Sequence, residues 1–152
     1  VLGTMMVFVV GFGWAKPVPV NPNNLRGGRR DMALVAVVGP LSNLALAAVV
    51  AFLWRVSGFV GGEIVANTLL VFIYLNIALL FFNLIPIPPL DGFRVLLGVL
   101  PEGLAQQWMR VGQVGPMLLF GLILIGNFIP GIDILGRVVV GPTQAVMSAL
   151  LR

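Results

Sequence analysis

The feature that most constrains this chain is the way a long apolar segment ends. Residues Ile64 to Leu84 are apolar enough to cross a bilayer, and they reach the ~20 residues that a crossing requires. The run Asn83-Leu84-Ile85-Pro86-Ile87-Pro88-Pro89-Leu90-Asp91-Gly92 then stops the segment. Pro86, Pro88 and Pro89 each lack an N–H and restrict the residue before them, so no regular helix continues through. A carboxylate, Asp91, follows at once. An ionisable side chain at membrane depth is costly, which makes Asp91 a candidate functional residue. Asp is also favoured where helices begin, so a capping carboxylate followed by a Gly92 turn is the plainer alternative. The residues alone leave both open.

Composition decides the solvent. Charged residues make up 9% of the 152 residues and hydrophobic ones 59%, where a soluble domain carries roughly 25% charge. Mean hydropathy is +1.08. A chain of this size cannot bury so much apolar surface by folding on itself, so lipid is an expected partner. Net charge is +4, but Lys16, Arg26, Arg29 and Arg30 form the one basic cluster. It lies between apolar stretches without the aromatic interleaving of a nucleic-acid face. It is expected to be a cytoplasmic loop flanking membrane helices, and no nucleic-acid partner is expected. There is no Cys and no His in the chain, which excludes disulfides and thiolate metal sites.

The hydropathy pattern predicts an all-α polytopic membrane protein, a bundle of about three to four transmembrane helices with a Pro-broken loop. Residues 1–13 are apolar but too short to cross, and are expected to be the end of a truncated first helix. Spans are expected at about 32–56, 64–84 and 114–129, with a Gly-rich turn from Ser57 to Glu63. A short helix is expected over Phe93 to Leu100, and a more polar connection over Pro101 to Gln113. Residues 132–152, interrupted by Gly141-Pro142, are expected to be re-entrant, interfacial or packed on the bundle. The positively charged residues concentrate in the loops before Met32 and after Leu84. Two crossings separate those loops, so both, with Asp91, are expected on the cytoplasmic side.

Three elements carry a family resemblance. Asn83-x-x-Pro86-x-Pro88-Pro89-Leu90-Asp91-Gly92 resembles the second signature of the site-2 protease family of intramembrane zinc metalloproteases. Gly39-Pro40-Leu41-Ser42-Asn43, early in the second apolar block, is similar to that family's Gly-Pro-x-x-Asn element. The stretch Gly13-Trp14-Ala15-Lys16-Pro17-Val18-Pro19-Val20-Asn21-Pro22 looks like the connector of compact bacterial members. The resemblance covers most of residues 1–92. It implies a place in a bacterial cell membrane and Asp91 as the carboxylate ligand of Zn2+. It implies that Asn43 lies near the reacting carbonyl; an interhelical hydrogen bond is that residue's structural alternative. It implies that Asn83, Pro86, Pro88, Pro89, Leu90 and Gly92 shape the loop around the metal.

The chain departs from the family in one respect. Its other signature, His-Glu-x-x-His, supplies two metal ligands one helical turn apart and a Glu that activates water. With no His here, that motif is expected upstream of Val1. This chain is then the C-terminal part of a zinc-dependent endopeptidase that cuts transmembrane or membrane-proximal peptides, inactive as an isolated fragment. Residues Pro17-Val18-Pro19-Val20 could offer an extended edge to an unwound substrate, although prolines remove donors there. The alternatives are a non-catalytic scaffold (a pseudoprotease) or a small membrane transporter. Transporters also use broken helices around a carboxylate, but no second broken segment is evident in a matching repeat.

Overall fold

The computed structural model describes residues 28–56, 62–128 and 134–152, and among these every regular element is helical. The expected truncated helix 1–13, the connector 13–22, Lys16, Arg26, the 17–20 edge and most of the 57–63 turn lie outside the described residues. Helix α1 runs Arg29–Val56, α2 Glu63–Asn83, α3 Asp91–Val99 and α4 Glu102–Phe128. Residues 134–151 are continuously helical: a π-helical stretch, Gly136–Val140, leads into α5, Gly141–Leu151. Helices α1 and α2 are long and apolar enough to cross a membrane, and α4 adds a third candidate span if its two bent arms count as one. Leu34, Val38, Phe52, Ile64 and Phe120 stand exposed on these helices, as lipid-facing side chains would.

Helix α1 is built around a stripe of small residues. Ala33, Ala36, Pro40, Ala47 and Ala51 are its buried positions, spaced so that they share one face of the helix. Small side chains let neighbouring backbones approach closely where no water drives helices together. Ile73 and Ile77 of α2 fill the space beside Ala47 and Ala51. Val146, Met147, Leu150 and Leu151 of α5 pack against the same cluster. The last segment packs on the bundle. Gly141-Pro142 does not interrupt it, because the proline falls in the first turn of α5, where its missing N–H has no partner to lose.

The neighbour of α1 changes along its length. Helix α2 packs beside its C-terminal half, through Ala47 and Ala51. Helix α3 packs beside its N-terminal half. A Cβ on Gly98 would collide with the Cβ of Ala33 and lie 2.9 Å from the Arg29 carbonyl oxygen. At the other end of α3, the Asp91 carboxylate comes against Gly39. Helices α2 and α3 are therefore two halves of a discontinuous helix laid along α1, and residues 84–90 are the break between them. Gly39 is ten residues into α1, or about 15 Å from its charged first turn. The break sits well inside the long helix, not at its end.

Helix α4 differs from expectation. The predicted polar connection over 101–113 is helical from Glu102. The helix then turns by 65° between Glu102–Gly112 and Val114–Gly126. Pro116 accounts for the bend: it cannot donate to the carbonyl of Gly112, and its ring crowds that carbonyl. The molecule thus has a second broken helix, which the hydropathy pattern did not reveal.

Candidate metal centre

The break between α2 and α3 is an ordered turn. Leu84 N–H still donates to Leu80 O (3.1 Å), Ile85 N–H to Phe82 O (3.2 Å), Ile87 N–H to Ile85 O (2.8 Å) and Leu90 N–H to Ile87 O (3.0 Å). These bonds serve backbone groups that the prolines would otherwise leave unpaired in an apolar setting, the condition for irregular backbone at membrane depth. The Pro88–Pro89 peptide is cis. Ile85, Pro88, Leu90 and Gly92 are buried while Pro86 and Pro89 are exposed. Pro88 is clamped from outside: a Cβ on Gly115 of α4 would lie 2.5 Å from its ring.

Gly92 sets how tightly the second half-helix folds back on the first. A Cβ there would strike the Leu84 carbonyl and lie 2.6 Å from the Ile85 carbonyl oxygen. Only a residue without a side chain lets α3 start there, and this fixes where Asp91 stands. Asp91 is the first residue of α3, and Leu90 is the N-cap, with no side-chain cap hydrogen bond. Asp91 therefore stands at a helix start, as the plainer sequence reading expects, in the first turn and not at the N-cap itself. Oδ1 accepts a hydrogen bond from Arg94 Nη1 at 3.3 Å. Oδ2 faces α1, where a Cβ on Gly39 would be only 3.1 Å away. The side chain is 28% exposed, and the positive N-terminal end of α3 favours its charge.

Asn43 follows Gly39 by one helical turn. It falls between Pro40 and Ala47 on the buried stripe and is half-buried. It therefore faces the bundle at a level next to the Asp91 carboxylate. Among the described residues its side chain has no hydrogen-bond partner. Asn83, half-buried at the end of α2, likewise has no side-chain partner among them. Two polar contributors escaped sequence reasoning. Asn76 is buried on α2 and donates to the Phe72 carbonyl at 2.9 Å; a lone Asn in an apolar segment carries no signal of which way it points. Arg94 pairs with Asp91 at the i, i+3 spacing of one helical turn, which the sequence displays.

One carboxylate oxygen donor fits one position of a zinc site, which in catalytic proteins takes three protein ligands and a water. Among the described residues no group of three or more His, Cys, Asp or Glu side chains comes together. These residues therefore supply a single ligand, not a set.

The break thus places a carboxylate at the head of a half-helix, facing Gly39-Pro40 inside a long apolar helix. The family model described as "Peptidase family M50" matches residues 56–125, a window that holds the whole break and Asp91. The chain is 34% identical over 136 residues to a Bacillus subtilis (strain 168) protein named "Putative zinc metalloprotease YwhC". That match covers 84% of this chain and 62% of the relative, so the chain spans about three fifths of the relative's length. No solved structure matches the chain. The chain belongs to peptidase family M50, the site-2 protease family.

Proposed function

We propose that this chain carries the carboxylate-bearing part of a zinc-dependent endopeptidase that cleaves transmembrane or membrane-proximal peptide bonds in a bacterial cell membrane. The observation that carries this reading is the contact of Asp91 with Gly39. It brings the two sequence elements, 83–92 and 39–43, together at one point inside the bundle. Asp91 serves as one metal ligand. With no His among its 152 residues, this chain supplies one ligand of a catalytic set and is not active by itself. When bound, zinc lowers the pKa of its water to roughly 7 and polarises the scissile carbonyl.

This chain's own residues do the rest of the positioning. The Asn43 amide donates to the substrate carbonyl, or to the oxyanion that develops from it. The folded break keeps the Pro86–Pro89 backbone satisfied, so Asp91 does not compete with stray peptide groups for a ligand. A transmembrane substrate must unwind locally, because its helical hydrogen bonds shield its carbonyls from attack. The Asp91 loop faces the cytoplasm, on the side of Arg26, Arg29 and Arg30.

Asp91→Asn in the intact protein tests the reading. It is expected to leave expression and folding unchanged while zinc and proteolysis are lost together. Near-normal cleavage by this variant would sink the proposal. An intact wild-type protein that binds membrane helices without ever cutting them would establish the scaffold instead. Labelling of single cysteines at positions 26 and 110 checks orientation. Both should be accessible from the cytoplasmic side, and opposite accessibility would refute the topology.

A further inference from the structure

We propose that the cleft where α1 begins and α3 gives way to α4 binds the headgroup phosphate of an anionic lipid. The inference rests on the membrane-spanning character of the helices and not on the metal-ligand reading of Asp91. The cleft has a volume of about 400 Å³ and is lined by Arg29, Arg30 and residues 98–102. Arg29 and Arg30 are the first two residues of α1, and after Asp31 no charged residue follows until Arg55. The two guanidiniums stand where a membrane-crossing helix leaves hydrocarbon for the headgroup layer.

Their charge is only partly answered by the protein. Arg29 Nη2 donates to Glu102 Oε2 at the start of α4. Nη1 of the same side chain is buried and has no hydrogen-bond partner among the described residues. Arg30 is exposed and forms no ion pair among them, and Asp31 does not line the cleft. Two cations therefore face one carboxylate, in a first helical turn whose own partial charge is also positive. A buried charged donor without an acceptor is costly. A water could serve Nη1 but would leave the excess charge. A phosphate answers both, because its oxygens match the donors of a guanidinium.

The surroundings favour a lipid over a free anion. Arg30, Leu34, Val38 and Leu41 recur at three- and four-residue spacing along one side of α1, and all four are exposed. Below Arg30 they form an apolar track roughly 16 Å long, on which an acyl chain can lie. Val99, at the rim of the cleft, is exposed as well. A basic pocket between helices at the membrane surface is the setting in which anionic headgroups are recognised.

The test places the intact protein in detergent micelles doped with phosphatidylglycerol or with phosphatidylcholine. Retained lipid is counted by native mass spectrometry, and thermal unfolding is followed in parallel. Wild-type protein should retain phosphatidylglycerol in preference to phosphatidylcholine. Arg30→Gln should weaken that retention about fivefold, the weight of one arginine at an anionic surface, with unfolding in lipid-free detergent unmoved. Arg29→Gln should weaken it at least as much. Glu102→Gln should preserve or strengthen it, because that carboxylate competes with phosphate for Arg29. Arg110→Gln removes the same charge outside the cleft and should change retention little. Equal retention of the two lipids would overturn the proposal, as would an equal loss in Arg110→Gln and Arg30→Gln. A loss in Glu102→Gln matching that in Arg29→Gln would also overturn it, since the pair would then only tie α1 to α4. Displacement of phosphatidylglycerol by glycerol 3-phosphate at equal concentration would defeat the lipid assignment. Should Arg29→Gln not fold, the comparison of Arg30→Gln with Arg110→Gln decides.

Discussion

Among the described residues two helical paths are interrupted by proline, and they have become different things. Between α2 and α3, Pro86, Pro88 and Pro89 separate the halves completely, the turn is closed by its own backbone hydrogen bonds, and a carboxylate stands at the restart. In α4, Pro116 bends the helix by 65° without ending it, and no ionisable residue follows before Phe128. The first break lies against α1: Gly39 admits the Asp91 carboxylate, Gly98 lets α3 lie on Ala33 and the Arg29 carbonyl, and Gly92 lets α3 fold back on the Leu84 and Ile85 carbonyls. The α4 arm beyond its bend leaves Met117, Leu118, Phe120 and Phe128 exposed. Proline alone therefore does not make a site. The difference comes from a charged residue at the break and from packing tight enough to hold it in one orientation.

The two breaks also touch, because Pro88 sits on Gly115, next to Pro116. The largest effect expected on this comparison is that of Asp91→Asn, which should reduce proteolysis to background; the α4 bend holds no residue whose loss could do the same. Asn43→Ala comes next. If its amide meets the developing oxyanion, turnover should fall by roughly a hundredfold or more with zinc still bound. If it serves only as packing, single-turnover assays would show near-normal rates and unfolding would show a loss of ~1 kcal/mol.

Gly92→Ala tests whether the tightness of the first break matters. The new methyl would meet main-chain atoms of Leu84 and Ile85, which no rotamer change can relieve. A destabilisation of about 1–3 kcal/mol is expected from overpacking, read by denaturant unfolding, together with weakened zinc retention as Asp91 moves. Unchanged stability would mean that the two half-helices are not held as closely as described. The smallest effects belong to α4 and are best read as a pair. Gly115→Ala crowds the Pro88 ring at 2.5 Å and should destabilise. Gly121→Ala meets nothing within 4 Å and should stabilise by about 0.5–1 kcal/mol through helix propensity. Equal effects of the two would show that the breaks do not lean on one another.

Much of this architecture is written in local sequence. Long apolar runs demand helices in lipid, since only there are all main-chain groups paired within the segment. Three prolines in four residues demand a break. An Asp directly after them marks the place where function is to be sought, and the 39–43 and 83–92 elements point to the M50 family before any contact is known. The bend in α4 was also present in principle, since Pro116 stands inside the helix. It was missed because the polar first arm, 102–112, reads as a connection when hydropathy alone is followed.

Other properties depend on residues far apart in the chain, and periodicity cannot supply them. That Asp91 meets Gly39 follows from α3 lying along α1, which Gly98 and Ala33 permit by having almost no side chain between them. That Asn43 faces the same point follows from the small-residue stripe, whose direction is known only once α2 and α5 have packed on Ala47 and Ala51. The sequence by itself determined that a carboxylate would stand at a broken helix in an apolar protein, because proline geometry and hydropathy are local. Only the tertiary structure decided how that carboxylate is aimed, because its orientation is set by close packing between segments some fifty residues apart in the chain, about the separation of Gly39 and Asp91.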